Sequence, residues 1–241
     1  MTAEAQGLGN HKPVVAAAET HRFLALDGLR GVAAFAVILD HVSSPTLGAL
    51  VPGRYLAVDF FFVLSGFVLA HAYGARLATG MTALQFMRIR MIRLYPLYLL
   101  GLGLGLVVPI VGALKGWEGG ALPEIGTIAV FSLFFLPAPP IYGFTGTHLY
   151  PFDSPAWSLF FELVANFFYA LVARFLNWRV FALILPVGAG LVAFTVMRHD
   201  TVGGPGWLWS HLDAGLARVL YCFFAGVAIY RLRERVKLPS I

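Results

Sequence analysis

The chain has 241 residues, a net charge of +5, 59% hydrophobic residues and only 12% charged ones, with a mean hydropathy of +0.79. A soluble domain of this length carries roughly twice that charged fraction on its surface, so composition excludes an ordinary soluble enzyme. The basic balance does not point to nucleic acid either. No basic segment is interleaved with aromatics on a soluble domain, and Lys and Arg of membrane proteins gather in cytoplasmic loops.

Residues 1–22 are Ala-rich and polar and lack the basic region and short apolar core of a signal peptide; they read as a disordered cytoplasmic tail. Apolar spans follow at 23–42, 56–73, 94–114, 156–176, 180–197 and 214–230, near the roughly 20 residues that a bilayer core asks of a helix. A seventh apolar stretch, Glu124 to Leu136, is short, ends at Pro137 and suits a re-entrant segment. The expected fold is all-α, a polytopic membrane helical bundle of six or seven membrane segments over 23–231, with a basic cytoplasmic tail at 232–241. Arg76, Arg88, Arg90 and Arg93 between the second and third spans, and Arg231, Arg233, Arg235 and Lys237 at the end, belong in the cytoplasm, whereas Pro139 to Trp157 has no Lys or Arg and belongs outside. Six crossings satisfy all three. No internal repeat of the kind many transporters carry is visible. Cys222 is the single cysteine, which leaves no internal disulfide and no cysteine-based metal site, so it reads as a small packing residue.

Ionisable groups inside a membrane span are costly and point to function. The first span has four: Asp27, Arg30, Asp40 and His41. Arg30 and His41 are eleven residues apart, which on a helix puts them about 20° apart in azimuth and about 16 Å apart along the axis. They share a face, and Asp27 lies one turn from Arg30, within pairing reach. Two readings stand: an ion pair with an interfacial His, or two groups lining a path on which an extended pantetheine arm would just fit.

Four segments then resemble one family. LDGLRGVAAFAVILDH, Leu26 to His41, is similar to the opening helix of the acyltransferase-3 family of membrane proteins, whose Arg-(ten residues)-His signature falls on Arg30 and His41. VDFFFVLSGFVLA, Val58 to Ala70, resembles the family's second helix, with Ser65-Gly66-Phe67. RIRMIRLYPLYLL, Arg88 to Leu100, resembles its basic loop and third helix, with Arg90-x-x-Arg93. PAWSLFFELVANFFYAL, Pro155 to Leu171, resembles its Trp-Ser-Leu-x-x-Glu helix, with Trp157, Ser158 and Glu162. The resemblance runs from Phe23 onward. Relative to the family's usual length, the chain looks short at its C-terminus.

The resemblance implies transfer of an acyl group, usually acetyl, from cytoplasmic acyl-CoA to a hydroxyl of a cell-surface carbohydrate, in a multi-pass protein of the bacterial inner membrane. No permanently bound cofactor and no metal are expected; acyl-CoA is the donor substrate, and the partners are the bilayer, the carbohydrate and a second polypeptide or partner enzyme, with no nucleic acid. His41 is the expected base or nucleophile, since imidazole titrates near neutrality. Arg30 would orient the donor, and Arg88, Arg90 and Arg93 would hold its phosphates through charge-assisted forks, the alternative for these three being plain topology anchors. Glu162 reads either as a functional buried acid or as the partner of an arginine such as Arg30. Trp157 and Ser158 are the expected substrate contacts. Tyr142 and Tyr150 could stack on a sugar, and His71, His148 and Asp153 have weaker claims. Asp59 reads as a helix cap and Ser65-Gly66 as a close-packing point. Two other classes stay open: an ion or solute transporter, and a non-catalytic membrane scaffold.

Overall fold

The computed structural model describes residues 24–41, 53, 55–116, 121–140, 147–200 and 206–236. The readings of 1–22, Tyr142 and the end of the basic tail, and of the Asp40 side chain, fall outside these residues. Among the described residues there are seven α-helices: α1 (Leu24–His41), α2 (Leu56–Thr79), α3 (Ala83–Leu114), α4 (Leu122–Leu133), α5 (Ala156–Val172), α6 (Trp178–His199) and α7 (Leu212–Val236). Short 3-10 turns follow α5 (Ala173–Phe175) and precede α7 (Trp209–His211). Among the described residues five segments are long and apolar enough to cross a membrane: α2, α3, α5 with its turn, α6, and α7 with its turn. This is a multi-pass membrane protein.

Helix α1 has eighteen residues, about 27 Å at 1.5 Å per residue, close to the thickness of a bilayer core. Leu29, Val32, Phe35 and Ile38 recur on its exposed side, the apolar stripe that lipid demands. Helix α4 has only twelve residues, about 18 Å, too short to span. Tyr98 of α3 donates from its hydroxyl to the Ser132 carbonyl at the end of α4, at 2.6 Å.

Three boundaries differ from the sequence reading. Helix α2 continues to Thr79, and α7 continues to Val236, beyond the 231 boundary. Helix α3 starts at Ala83, eleven residues before the expected span. Its start is fixed by a capping box: the Thr82 side chain accepts from the Gln85 N–H, and the Gln85 side chain accepts from the Thr82 N–H. Arg88, Arg90 and Arg93 therefore sit on a helix rather than in a loop.

The α2–α7 pair packs backbone to backbone. A Cβ added at Gly66 would collide with the Phe223 carbonyl, and one at Gly226 with the Val63 carbonyl. Small residues facing each other let membrane helices approach this closely. At one end of the bundle the segments 134–140, 147–155 and 206–209 form a cap. Ala138 N–H donates to Leu149 O (2.7 Å), Leu149 N–H to Trp207 O (2.8 Å), and the Trp209 indole to Ala138 O (2.8 Å). Buried aromatics, among them Phe86, Tyr98, Phe161, Tyr169 and Phe223, fill the core between the helices.

Candidate functional site

Helices α1, α2, α3 and α5 enclose a cavity of about 460 Å³. Its polar lining is Arg30, Ser65, Arg90, Arg93, Ser158 and Glu162. Each of the four motif segments, spread from Leu26 to Leu171, sends at least one side chain to this wall. At its centre Glu162 accepts two hydrogen bonds on one oxygen, from Ser65 Oγ at 2.7 Å and from Arg90 Nη2 at 2.5 Å. The Arg90 side chain is 6% exposed and that of Glu162 17%. A buried charge is tolerable only when paired in this way. The partner of Glu162 is thus Arg90, and Arg30 pairs instead with Asp27 at 3.1 Å.

The arginines expected to work as one set are divided. Arg90 is turned into the protein toward Glu162, Arg93 lines the central cavity, and Arg88 lines a second cavity with Arg76. Ser158 borders the central cavity and donates to the Pro155 carbonyl at 2.8 Å. Trp157 is buried, packed edge to face with Phe62 and Phe161, and is not among the residues lining the central cavity. Gly66 serves close packing, as its sequence context suggested.

His41 lies at the last residue of α1, exposed and outside the central cavity. Its Nδ1 is 2.8 Å from the Val37 carbonyl, and Val37 does line that cavity. A carbonyl only accepts, so Nδ1 is the donor in this contact. His41 thus sits one turn beyond Val37 and the cavity wall.

Three features escaped the sequence reading. Arg218 on α7 grips Asp59 through two hydrogen bonds, Nε to Oδ1 and Nη2 to Oδ2 (2.9 Å), and also donates to the Tyr55 carbonyl at 3.1 Å. Asp59 is therefore an interhelical partner rather than a cap, and Cys222 packs beside it with Sγ 3.8 Å from Oδ1. A lone arginine in the apolar run 214–230 was the available signal. Asn166, one turn past Glu162 on α5, is fully buried, and neither amide atom has a partner among the described residues. In the cap, burial pushes the Asp153 carboxyl above its ordinary range. It does the same to the Tyr150 hydroxyl, which donates to Phe135 O at 2.9 Å, so Tyr150 is a structural pin of the cap. His148 forms an isolated bridge to Leu208, and His71 lies 3.4 Å from the Tyr230 hydroxyl. Among the described residues no three His, Cys, Asp or Glu side chains gather as a metal site would need.

The chain is a multi-pass helical membrane protein in which a buried ion pair borders a cavity between the helices. The acyltransferase domain model matches residues 23–240, and the chain belongs to that family of acyltransferases. It is 42% identical over 180 residues to "Protein 2 in picA locus" of Rhizobium radiobacter, covering 70% of this chain and 91% of that protein. It is 34% identical over 150 residues to "Exopolysaccharide production protein ExoZ" of Rhizobium meliloti (strain 1021), covering 60% of this chain and 41% of that protein. No solved structure matches.

Proposed function

We propose that the protein moves an acyl group, most simply acetyl, from cytoplasmic acyl-CoA to a hydroxyl of an exported or cell-surface carbohydrate at the bacterial inner membrane. The observation that carries this reading is the convergence of Arg30, Ser65, Arg93, Ser158 and the Arg90–Glu162 pair on one cavity. The exopolysaccharide role in the name of one relative supports a carbohydrate acceptor. The basic end of the bundle, with Arg76, Arg88, Arg231 and Arg235, faces the cytoplasm and its acyl-CoA pool under the positive-inside rule.

In this scheme Arg30 and Arg93 hold the donor's pyrophosphate, and the pantetheine arm runs through the cavity past Ser65 and Glu162 toward Val37. The acceptor hydroxyl meets the thioester carbonyl near His41. Nε2 takes the hydroxyl proton as the oxygen attacks, the new C–O bond forms, the C–S bond breaks, and the proton leaves on the thiol. Nδ1, held by Val37 O, keeps the ring in the tautomer this step needs. Glu162 neutralises Arg90 and, with it, shapes the polar wall along which the arm lies. Mass spectrometry of cell-surface glycans tests the proposal: deleting the gene should remove a set of O-acyl substituents, which a plasmid copy restores. Identical glycans in both strains would contradict it.

A further inference from the structure

We propose that Arg76 and Arg88 form an inner chamber that recognises the ribose phosphate of the coenzyme A donor, which lies beyond the pyrophosphate at the nucleotide end. This rests on the acyl-CoA reading above and extends it to the other end of the molecule. The second cavity, about 570 Å³, lies between the end of α2 and the start of α3 and is lined by Arg76, Thr79, Gln85 and Arg88, with no carboxylate among its described lining residues. Gln85 accepts the Thr82 N–H on its side-chain oxygen, which leaves the side-chain NH₂ as a donor. Two guanidinium groups and an amide donor without a counter-acid make a site for an anion with several oxygens.

The two cavities follow one another along α2. Ser65, Leu69, Ala72 and Tyr73 line the central one, and Arg76 and Thr79 the inner one. At 100° per residue all six fall within about 120° of azimuth, one side of the helix. Tyr73 stands at the junction. Its ring meets the fully buried Phe86 edge to face at 5.2 Å, and the Arg76 guanidinium lies over it, 5.4 Å from the centroid. That stack aims Arg76 from the wall of the central cavity into the inner chamber. On α3, Arg88 precedes Arg93 by five residues, about 7.5 Å along the axis and turned by about 140°, so one faces each cavity. Coenzyme A has matching spacing: a pyrophosphate next to the pantetheine arm and a separate monophosphate on the ribose beyond it. With the pyrophosphate at Arg93 and Arg30, the ribose phosphate falls toward Arg76 and Arg88.

Equilibrium binding to the purified full chain in nanodiscs of zwitterionic lipid tests this, with coenzyme A and dephospho-coenzyme A, which lacks only the ribose phosphate, as probes. Wild-type protein should prefer coenzyme A by at least about tenfold, the usual scale for hydrogen bonds to a charged group. Arg76→Gln and Arg88→Gln should each bring that ratio toward one, and Arg76→Lys should keep part of it. Arg88→Gln leaves the Tyr73 stack in place, so it guards against a folding defect from the loss of Arg76, and thermal unfolding of every variant sets the folded fraction. A wild-type protein that binds both probes equally, or folded glutamine variants that keep the wild-type ratio, overturns the chamber and leaves the acyl-CoA reading standing. A wild-type protein that binds neither probe overturns the acyl-CoA reading and the chamber with it.

Discussion

Two arginine–carboxylate pairs with a buried arginine join neighbouring described helices of the bundle, and they differ in what surrounds them. Arg218 and Asp59 tie α7 to α2, and the arginine's remaining reach is taken by the Tyr55 carbonyl. Arg90 and Glu162 tie α3 to α5, but their pair forms part of a cavity wall with Ser65, Ser158 and Arg30 beside it. A buried ion pair by itself is weak evidence of anything beyond helix registry. The open space next to the second pair, and the family signature residues that share it, separate a site from a staple. The first pair holds the α2–α7 unit together, where Gly66 and Gly226 already bring the backbones into contact. The second forms part of the wall of the central cavity.

The largest effect should appear at the rim of the cavity. His41→Ala should lower turnover of folded protein at least about a hundredfold, the scale of general-base loss, while donor binding persists. Arg30→Ala should weaken donor affinity and rate together. Normal turnover in a folded His41→Ala protein would move the chemistry elsewhere. The two pairs come next. Removing one partner from either, by Glu162→Gln or Asp59→Asn, strands a buried arginine and should cost about 3–5 kcal/mol of stability, read as a fall in the thermal midpoint. Replacing the whole α2–α7 staple, Asp59→Leu with Arg218→Met, should recover most of the loss caused by Asp59→Asn, because well-packed apolar residues commonly match a buried pair. A double variant as unstable as Asp59→Asn would show that the staple contributes more than charge neutralisation.

The smallest effect concerns the cap. Burial raises the Asp153 carboxyl's pKa in the folded protein, so the folded state holds its proton more tightly than the unfolded chain does. Stability from this group is full below the unfolded pKa and falls as pH rises through the folded one. Asp153→Asn should therefore raise the thermal midpoint slightly at neutral pH, and the gain should vanish below the ordinary aspartate range. A gain that persists in acid would assign the effect to something other than ionisation.

Much of this molecule is written in its hydropathy. Expected 23–42 became Leu24–His41, and the short 124–136 stretch became a twelve-residue helix, because a run of apolar residues between turn formers has few alternatives in a bilayer. The arginines defeated that criterion. A hydropathy scan stops at Arg93 and Arg88, yet arginine is a good helix former, and the Thr82–Gln85 capping box marked the true start. Partner choice was less legible. Glu162 demanded an arginine, but Arg30, Arg90 and Arg93 all line the same cavity, and only the packing of α3 against α5 selects Arg90. Arg218 was visible as a lone charge in an apolar run, while the pairing that turns Asp59 into its partner spans 159 residues. Pairing of that range depends on the three-dimensional arrangement of α2 and α7, which one sequence does not display.

The most direct measurement follows labelled acetyl groups from acetyl-CoA onto isolated surface polysaccharide, using purified protein in nanodiscs normalised for folded amount. Three proteins are compared: wild type, Glu162→Gln, and the Asp59→Leu/Arg218→Met double variant. The account predicts transfer by the wild type and by the double variant, and a severe loss in Glu162→Gln, since only that pair borders the cavity. Absence of transfer by the wild type, or equal transfer by all three, would contradict it.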